Sequence, residues 1–201
     1  MDAVIILGNI NQIDKKIIEN KFVIGVDKGS YLAYQNNIRL DVAIGDFDSI
    51  DSNMLAKVKE NSNRIIMLNS IKDKTDTNEA LELCHDAKSI TILGGIKGDR
   101  IEHFMANIIE LINDDRITII DDNSKIYTKS ESFTPDLNYK FFSIFSIDDN
   151  TNITLKGFKY ELNNYDLKPN NPLGISNEIT NNPYVEINSG RLLIISSKDD
   201  K

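Results

Sequence analysis

Residues 89–112 read SITILGGIKGDRIEHFMANIIELI, and the order of signals along this stretch decides the fold. Residues 89–93 form a short apolar run rich in β-branched side chains, closed by Gly94-Gly95. That reads as a buried strand running into a tight turn. Ile101, Phe104, Met105, Ile108, Ile109 and Ile112 then recur at i, i+3, i+4, i+7, which predicts a helix with this set on one buried stripe. Buried strand, glycine turn and amphipathic helix together make one repeat of a mostly parallel α/β sheet.

The same grammar extends toward the N-terminus. Residues 3–7 run into Gly8-Asn9, residues 21–26 into Asp27-Lys28-Gly29, and residues 42–44 into Gly45-Asp46. Residues 64–68 and 117–120 are two more short apolar runs. Helical patterns lie between them at 30–35, 53–60 and 77–87, the last with Ala80, Leu81, Leu83 and Cys84 as its apolar set. Past Asp122 the pattern changes. The chain becomes rich in Asn, Asp and Thr, with apolar runs at 141–147, 153–155, 185–187 and 192–195 separated by turn residues such as Lys156-Gly157 and Ser189-Gly190. Short alternating runs between turns predict an antiparallel β domain. The expected division is an α/β domain over 1–124 and a β domain over 125–201.

A chain of 201 residues, 40% hydrophobic and 27% charged, has the composition of a folded protein with a sizeable core. Its formal net charge of -8, with no cluster of Lys and Arg, argues against a nucleic-acid partner. An acidic protein can still bind a polyanion when a divalent cation sits between them. Cys84 is the single cysteine and falls in an apolar helical pattern, so it reads as a core residue. The N-terminus lacks a basic-then-apolar leader, and no apolar run approaches the roughly 18 residues that span a bilayer. The expectation is a cytoplasmic chain with no membrane partner.

Ligands of open α/β sheets bind at the carboxyl ends of the strands. Asp27, Asp46 and Asp48 all fall at such ends. If the segment Gly45-Asp46-Phe47-Asp48-Ser49 is extended, its two carboxylates share a side, because side chains alternate along a strand. Adjacent carboxylates repel unless a cation separates them, and Mg²⁺ takes one or two carboxylates plus phosphate oxygens and water. The same residues also suit a plain turn that caps the next helix. Lys72-Asp73-Lys74-Thr75-Asp76-Thr77 has two readings as well. Thr75 or Asp76 can cap a helix, with Glu79 closing a capping box on Asp76, and a carboxylate at this edge can also reach a metal. Gly94 to His103 offers backbone amides and Arg100 to a phosphate, without the Gly-Lys-Ser/Thr ending of a P-loop.

Taken in order, these pieces resemble the thiamine pyrophosphokinase family. The matching segments are Val26-Asp27-Lys28-Gly29, Ile44-Gly45-Asp46-Phe47-Asp48-Ser49-Ile50, Asp73-Lys74-Thr75-Asp76, and Gly94-Gly95 through Gly98-Asp99-Arg100-Ile101-Glu102-His103 with Asn107. Gly157-Phe158-Lys159-Tyr160 and Ile175-Ser176-Asn177-Glu178 follow, so nearly the whole chain takes part. The resemblance implies a Rossmann-like α/β domain, a C-terminal β-sandwich, and a homodimer with active sites between subunits. It also implies transfer of a pyrophosphoryl group from ATP to the hydroxyl of thiamine. By resemblance, Asp46, Asp48 and Asp76 hold Mg²⁺, and Asp27 supports them as part of the catalytic set. Asp73, Thr75, Gly95, Arg100, Glu102 and His103 face ATP, while Ser176 and Asn177 hold thiamine. The chain departs from the family at Glu102, where Asp is usual, and at Lys28, where Gly is common. Two rival classes share parts of this pattern: another magnesium-dependent nucleotide phosphotransferase or a phosphohydrolase with an Asp nucleophile, and regulatory modules that bind a nucleotide or thiamine. The hydrolases carry their Asp-x-Asp near the chain start with Thr shortly after; here 45 residues precede Asp46, and Ser49-Ile50 follow it.

Overall fold

A computed structural model describes residues 1–69, 73–98 and 100–199. Lys72 and Asp99, named in the motifs above, lie outside the described residues. The chain divides into two compact units: Met1–Glu110 with Arg116–Asp122, and Leu111–Asp115 with Asn123 onward.

The first unit is built on strands β1 (Asp2–Ile6), β2 (Phe22–Val26), β3 (Leu40–Gly45), β4 (Ser62–Met67), β5 (Ser89–Leu93) and β6 (Ile117–Ile120). They lie in the order β6-β5-β1-β2-β3-β4, and every pairing is parallel. The register sets Ile5 beside Ile24 on one flank and Ile92 on the other. Residues Ala3 to Ile6 are 0% exposed, which is why β1 reads as a continuous apolar run rather than an alternating one. Helices α1 (Lys28–Gln35), α2 (Ser52–Glu60), α3 (Asp76–Glu82) and α4 (Ile101–Asn113) connect the strands. Ala33 of α1 and Val58 of α2 pack on Val4, Val23 and Leu40 in one apolar cluster, each large side chain contributing about 1.5–3 kcal/mol by leaving water.

The winding direction matters for function. The chain starts in the middle of this sheet at β1, moves outward through β2, β3 and β4, then returns to the other flank of β1 for β5 and β6. The reversal lies between β1 and β5, and an open α/β sheet forms its ligand crevice at such a point.

Three local expectations change. Helix α3 stops at Glu82 instead of reaching residue 87. The carbonyls of His85 and Ala87 accept from the Arg116 guanidinium at 2.9 and 2.8 Å, a partner outside the helix. The cap of α3 is Thr75, closed by Asn78 in a capping box, so neither Asp76 nor Glu79 caps it. On α4 the buried set is Asn107, Ile108 and Leu111, at 4%, 7% and 0% exposure, while Ile101, Met105 and Ile109 are 70%, 51% and 54% exposed. The buried face is turned about a quarter-turn from the apolar stripe, because apolar residues cover more of this helix than one neighbour can bury. Cys84 is fully buried as expected, and burial pushes its thiol up to about 11 against the pull of Arg116.

The second unit contains β7 (Ser124–Lys129), β8 (Phe141–Ser146), β9 (Thr151–Phe158), β10 (Leu162–Leu167), β11 (Asn177–Ser189) and β12 (Leu192–Ser197). Their order is β10-β9-β11-β8-β12-β7 with antiparallel pairing. Phe142, Ile144, Ile153, Leu155, Phe158, Val185, Leu192 and Ile194 form its core. Strand β10 and the first half of β11 escape the apolar pattern, since β10 reads Leu-Asn-Asn-Tyr-Asp-Leu and is an edge strand with little to bury. Among the described residues no helix is long and apolar enough to cross a membrane.

Candidate active site

The ends of β2 and β3 meet in a strained junction. Asp27 follows β2 with φ 45° and ψ −121°, and Phe47 follows β3 with φ 56°. Both are left-handed conformations that cost a non-glycine residue on the order of 1–3 kcal/mol, and such strain gathers at functional sites. Two hydrogen bonds hold the junction: Asp27 N–H donates to the Ile44 carbonyl at 3.0 Å, and Phe47 N–H donates to Asp27 Oδ1 at 3.2 Å. Gly45 has no alternative here, because a Cβ on it would lie 1.9 Å from Asp27 Oδ1.

Phe47 buries its side chain in the core at 4% exposure, leaving Asp46 half-buried and Asp48 exposed on either side. The segment is not extended, so strand alternation does not pair the two carboxylates. The segment is a turn, in which Asp48 N–H donates to Asp46 Oδ1 at 3.1 Å.

Asp27 registers the field of this corner. Its carboxyl is pushed up from 3.8 to about 6, first by burial, then by the Asp76 carboxylate, with smaller pushes from Asp46 and Asp48 and an opposing pull from the Phe47 amide. Asp76 reaches this corner from the first turn of α3, because Thr75 takes over the capping. Four carboxylates in one field fit a cation that takes few protein ligands and completes its shell with phosphate and water, as Mg²⁺ does. Among the described residues no three His, Cys, Asp or Glu side chains are gathered into a ready-made metal cluster.

Beside this corner a cavity of about 320 Å³ opens at the β1/β5 reversal. It is lined by residues 7–9 after β1, 26–28 after β2, 75–77 at the start of α3, 95–98 after β5, and Arg100, His103 and Asn107 among others. Of the expected site residues it therefore brings together Asp27, Thr75, Asp76, Gly95, Arg100 and His103. The lining does not include Asp46, Asp48, Asp73 or Glu102, although Ser49 belongs to it. Asp73 and Glu102 are exposed. Buried Asn107 donates from Nδ2 to the Gly95 carbonyl at 3.1 Å, and a Cβ on Gly95 would lie 2.7 Å from that nitrogen. The close approach explains why a left-handed glycine, φ 77°, stands there. Asn9, Lys97 and Ser49 were not candidates on sequence. Asn9 and Lys97 do lie just past strands, and that position is the signal that could have found them.

In the second unit Ser176 is exposed with φ 52°, and its N–H donates to Ser143 Oγ at 2.9 Å. Asn177 is buried and spends its amide on backbone. Its Oδ1 accepts from Tyr160 N–H and Glu178 N–H, both at 3.0 Å, and its Nδ2 donates to the Tyr160 carbonyl at 2.7 Å. Tyr160 is thereby clamped by its main chain while its side chain stays 63% exposed, with Lys159 over the ring at 5.7 Å.

An open parallel α/β sheet with acidic residues past its strands, and a glycine turn followed by Arg100 at its reversal point, has the layout of an α/β ligand-binding domain. Comparison with known proteins gives the particular family. A family model for "Thiamin pyrophosphokinase, catalytic domain" matches residues 13–120, and one for "Thiamin pyrophosphokinase, vitamin B1 binding domain" matches residues 125–194. The thiamine pyrophosphokinase of Bacillus subtilis (strain 168) is 30% identical over 195 residues, spanning 90% of this chain and 89% of that one. The chain belongs to the thiamin pyrophosphokinase family. A crystal structure of thiamine pyrophosphokinase from Bacillus subtilis aligns with a TM-score of 0.84 at 29% identity, covering 98% of each chain. Yeast thiamin pyrophosphokinase aligns with a TM-score of 0.77 over 98% of this chain and 86% of its own, and at 13% identity it shares the fold alone.

Proposed function

We propose that the carboxyl edge of the parallel sheet is where this enzyme moves the pyrophosphoryl group of ATP onto the hydroxyl of thiamine, yielding thiamine diphosphate and AMP. The observation that carries the reading is the meeting of Asp27, Asp46, Asp48 and Asp76 in one field, beside a cavity lined by Gly95 and Arg100. Asp46, Asp48 and Asp76 are the proposed ligands of Mg²⁺, with Asp27 behind them. Bound there, Mg²⁺ would offset the charge of the phosphate oxygens and of the departing AMP.

The chain's own groups supply position and proton traffic. The glycine turn at 94–98 turns backbone amides toward phosphate oxygens, and Asn107 fixes that turn through the Gly95 carbonyl. Arg100 supplies a fork of donors, with Asp73, Thr75, Glu102 and His103 completing the ATP side. Asp76 is the proposed acceptor of the thiamine hydroxyl proton. The oxygen–phosphorus bond to thiamine forms as the bond to the AMP oxygen breaks. Residues 1–124 form the catalytic domain in this reading, and 125–201 form a β-sandwich that takes thiamine at Ser176 and Asn177, with Asn177 acting through the Tyr160 main chain it holds. Tyr160, clamped by Asn177 with its ring exposed, is the surface on which the thiamine ring stacks. A homodimer with active sites between subunits belongs to the same reading. The exposed stripe of Ile101, Met105 and Ile109 supports it, and Ile101 also lines the cavity. The cytoplasm, which supplies ATP and Mg²⁺, is the proposed location.

Purified protein with thiamine, ATP and Mg²⁺ is expected to release AMP and thiamine diphosphate in equal amounts. Release of ADP, or no thiamine product, overturns the reading.

A further inference from the structure

Two loops wall the cavity at the β1/β5 reversal, one after β1 and one after β5. They are far apart in sequence, yet Asn9 Nδ2 donates across to the Lys97 carbonyl at 3.1 Å, and both residues line the cavity. A third element joins them. Asp122, two residues past β6, takes donors from both loops on one carboxylate. Its Oδ1 accepts from Asn11 N–H at 3.0 Å and Gln12 N–H at 3.1 Å, and its Oδ2 accepts from Asn11 Nδ2 at 2.9 Å. The Lys97 ammonium lies 3.5 Å from the same Oδ2 and 3.8 Å from Asp121, whose side chain is 2% exposed.

A lone ion pair at the surface contributes little. Here the carboxylate also accepts charge-assisted hydrogen bonds from two consecutive backbone amides, so it ties main chain and not just a side chain. Loops with few buried apolar contacts open locally at low free energy, and misplacing a binding group by about 1 Å can cost a hundredfold in rate.

We propose that Asp122 is a positioning residue that clasps the loops after β1 and β5 and so sets Asn9 and Lys97 against the phosphate chain of the nucleotide. The clasp itself rests only on the hydrogen bonds and the Lys97 ion pair above; that the clasped wall faces ATP rests on the proposed function.

Full-length Asp122→Ala, Asp122→Asn and Lys97→Met separate the parts. With nucleotide absent, Asp122→Ala is expected to raise amide exchange about tenfold in residues 8–12 and in the loop around Lys97, leaving the strands unchanged. Asp122→Asn keeps an acceptor for the Asn11 and Gln12 amides but loses the charge and the acceptor for Asn11 Nδ2, so the Lys97 loop loosens more than residues 8–12. Lys97→Met does the same. In turnover, Asp122→Ala raises KM for ATP about tenfold with kcat within about threefold and KM for thiamine unchanged, and Asp122→Asn recovers part of that loss. Wild-type exchange in both loops overturns the clasp, as does faster exchange spread evenly through the protein. A loss confined to kcat overturns its role toward the nucleotide. If Asp122→Ala fails to fold, the loop-selective loosening in the Asn and Met variants decides alone. If the wild type turns out not to use ATP and thiamine, the exchange measurements still judge the clasp while the proposed function falls.

Discussion

Asp27 combines a backbone conformation suited to glycine with a carboxylate in the field of Asp76, Asp46 and Asp48. Its proton is held more tightly in the folded chain, at about 6, than the 3.8 of the ordinary group. The sign follows: the stability it contributes is complete below pH 3.8 and is lost as pH rises through 6. At neutral pH the metal-free protein therefore carries a destabilising charge. Asp27→Asn keeps the acceptor for Phe47 N–H and removes that charge. In EDTA at pH 7 it is expected to gain on the order of 1–2 kcal/mol in urea unfolding, once solvent screening of a half-buried group is allowed for, and to gain nothing near pH 3.5. Lower stability at pH 7 would refute the electrostatic account. Asp46→Asn and Asp48→Asn should fold with unchanged circular dichroism yet lose turnover by about a hundredfold or more if they carry the proposed metal. Wild-type rates in either variant dismiss the assignment. All four carboxylates were visible in the sequence, because each follows a strand or opens a helix. The turn that carries Asp46 and Asp48 was not, since it depends on a left-handed Phe47 that no alternation rule predicts.

Helix α4 is apolar around more of its circumference than one neighbour covers. Periodicity found the helix but not its buried face: Leu111, outside the apolar stripe, is buried, while Ile101, Met105 and Ile109 from the stripe are exposed. A helix apolar over a wide arc does not say which side meets its neighbour. Leu111→Ala is expected to cost about 2–5 kcal/mol in denaturant unfolding. Met105→Lys with Ile109→Glu should leave the unfolding free energy of the subunit within about 1 kcal/mol and shift the proposed dimer to a sedimenting monomer. A wild-type monomer, or a dimer indifferent to both changes, argues against this face as the contact. Helix α3 carries the same lesson in miniature. The Asp76–Glu79 spacing suggested a capping box, and Thr75 with Asn78 formed one instead, which leaves Asp76 in the site.

At the scale of the molecule, substrate and fold are linked by mass action. MgATP at a hundred times its dissociation constant should stabilise the protein by about 2.7 kcal/mol, and ATP in EDTA should give far less, because carboxylates and phosphates then repel. Equal thermal shifts with and without Mg²⁺ would count against a bridging cation. The parallel sheet was legible from residues 89–112 and the runs like it, because strands buried on both faces leave unbroken apolar stretches. The antiparallel part was legible only where strands bury a face; polar β10 passed unnoticed. The sequence by itself determined the alternation of strand and helix, the acidic residues at strand ends, and the family those motifs resemble. Strand order was decided only in three dimensions, and with it the reversal between β1 and β5, the cavity there, and the Asp122 contacts across more than a hundred residues to Asn11. The reason is physical: periodicity and capping are local properties of a chain, whereas a site between loops exists only once distant strands have paired.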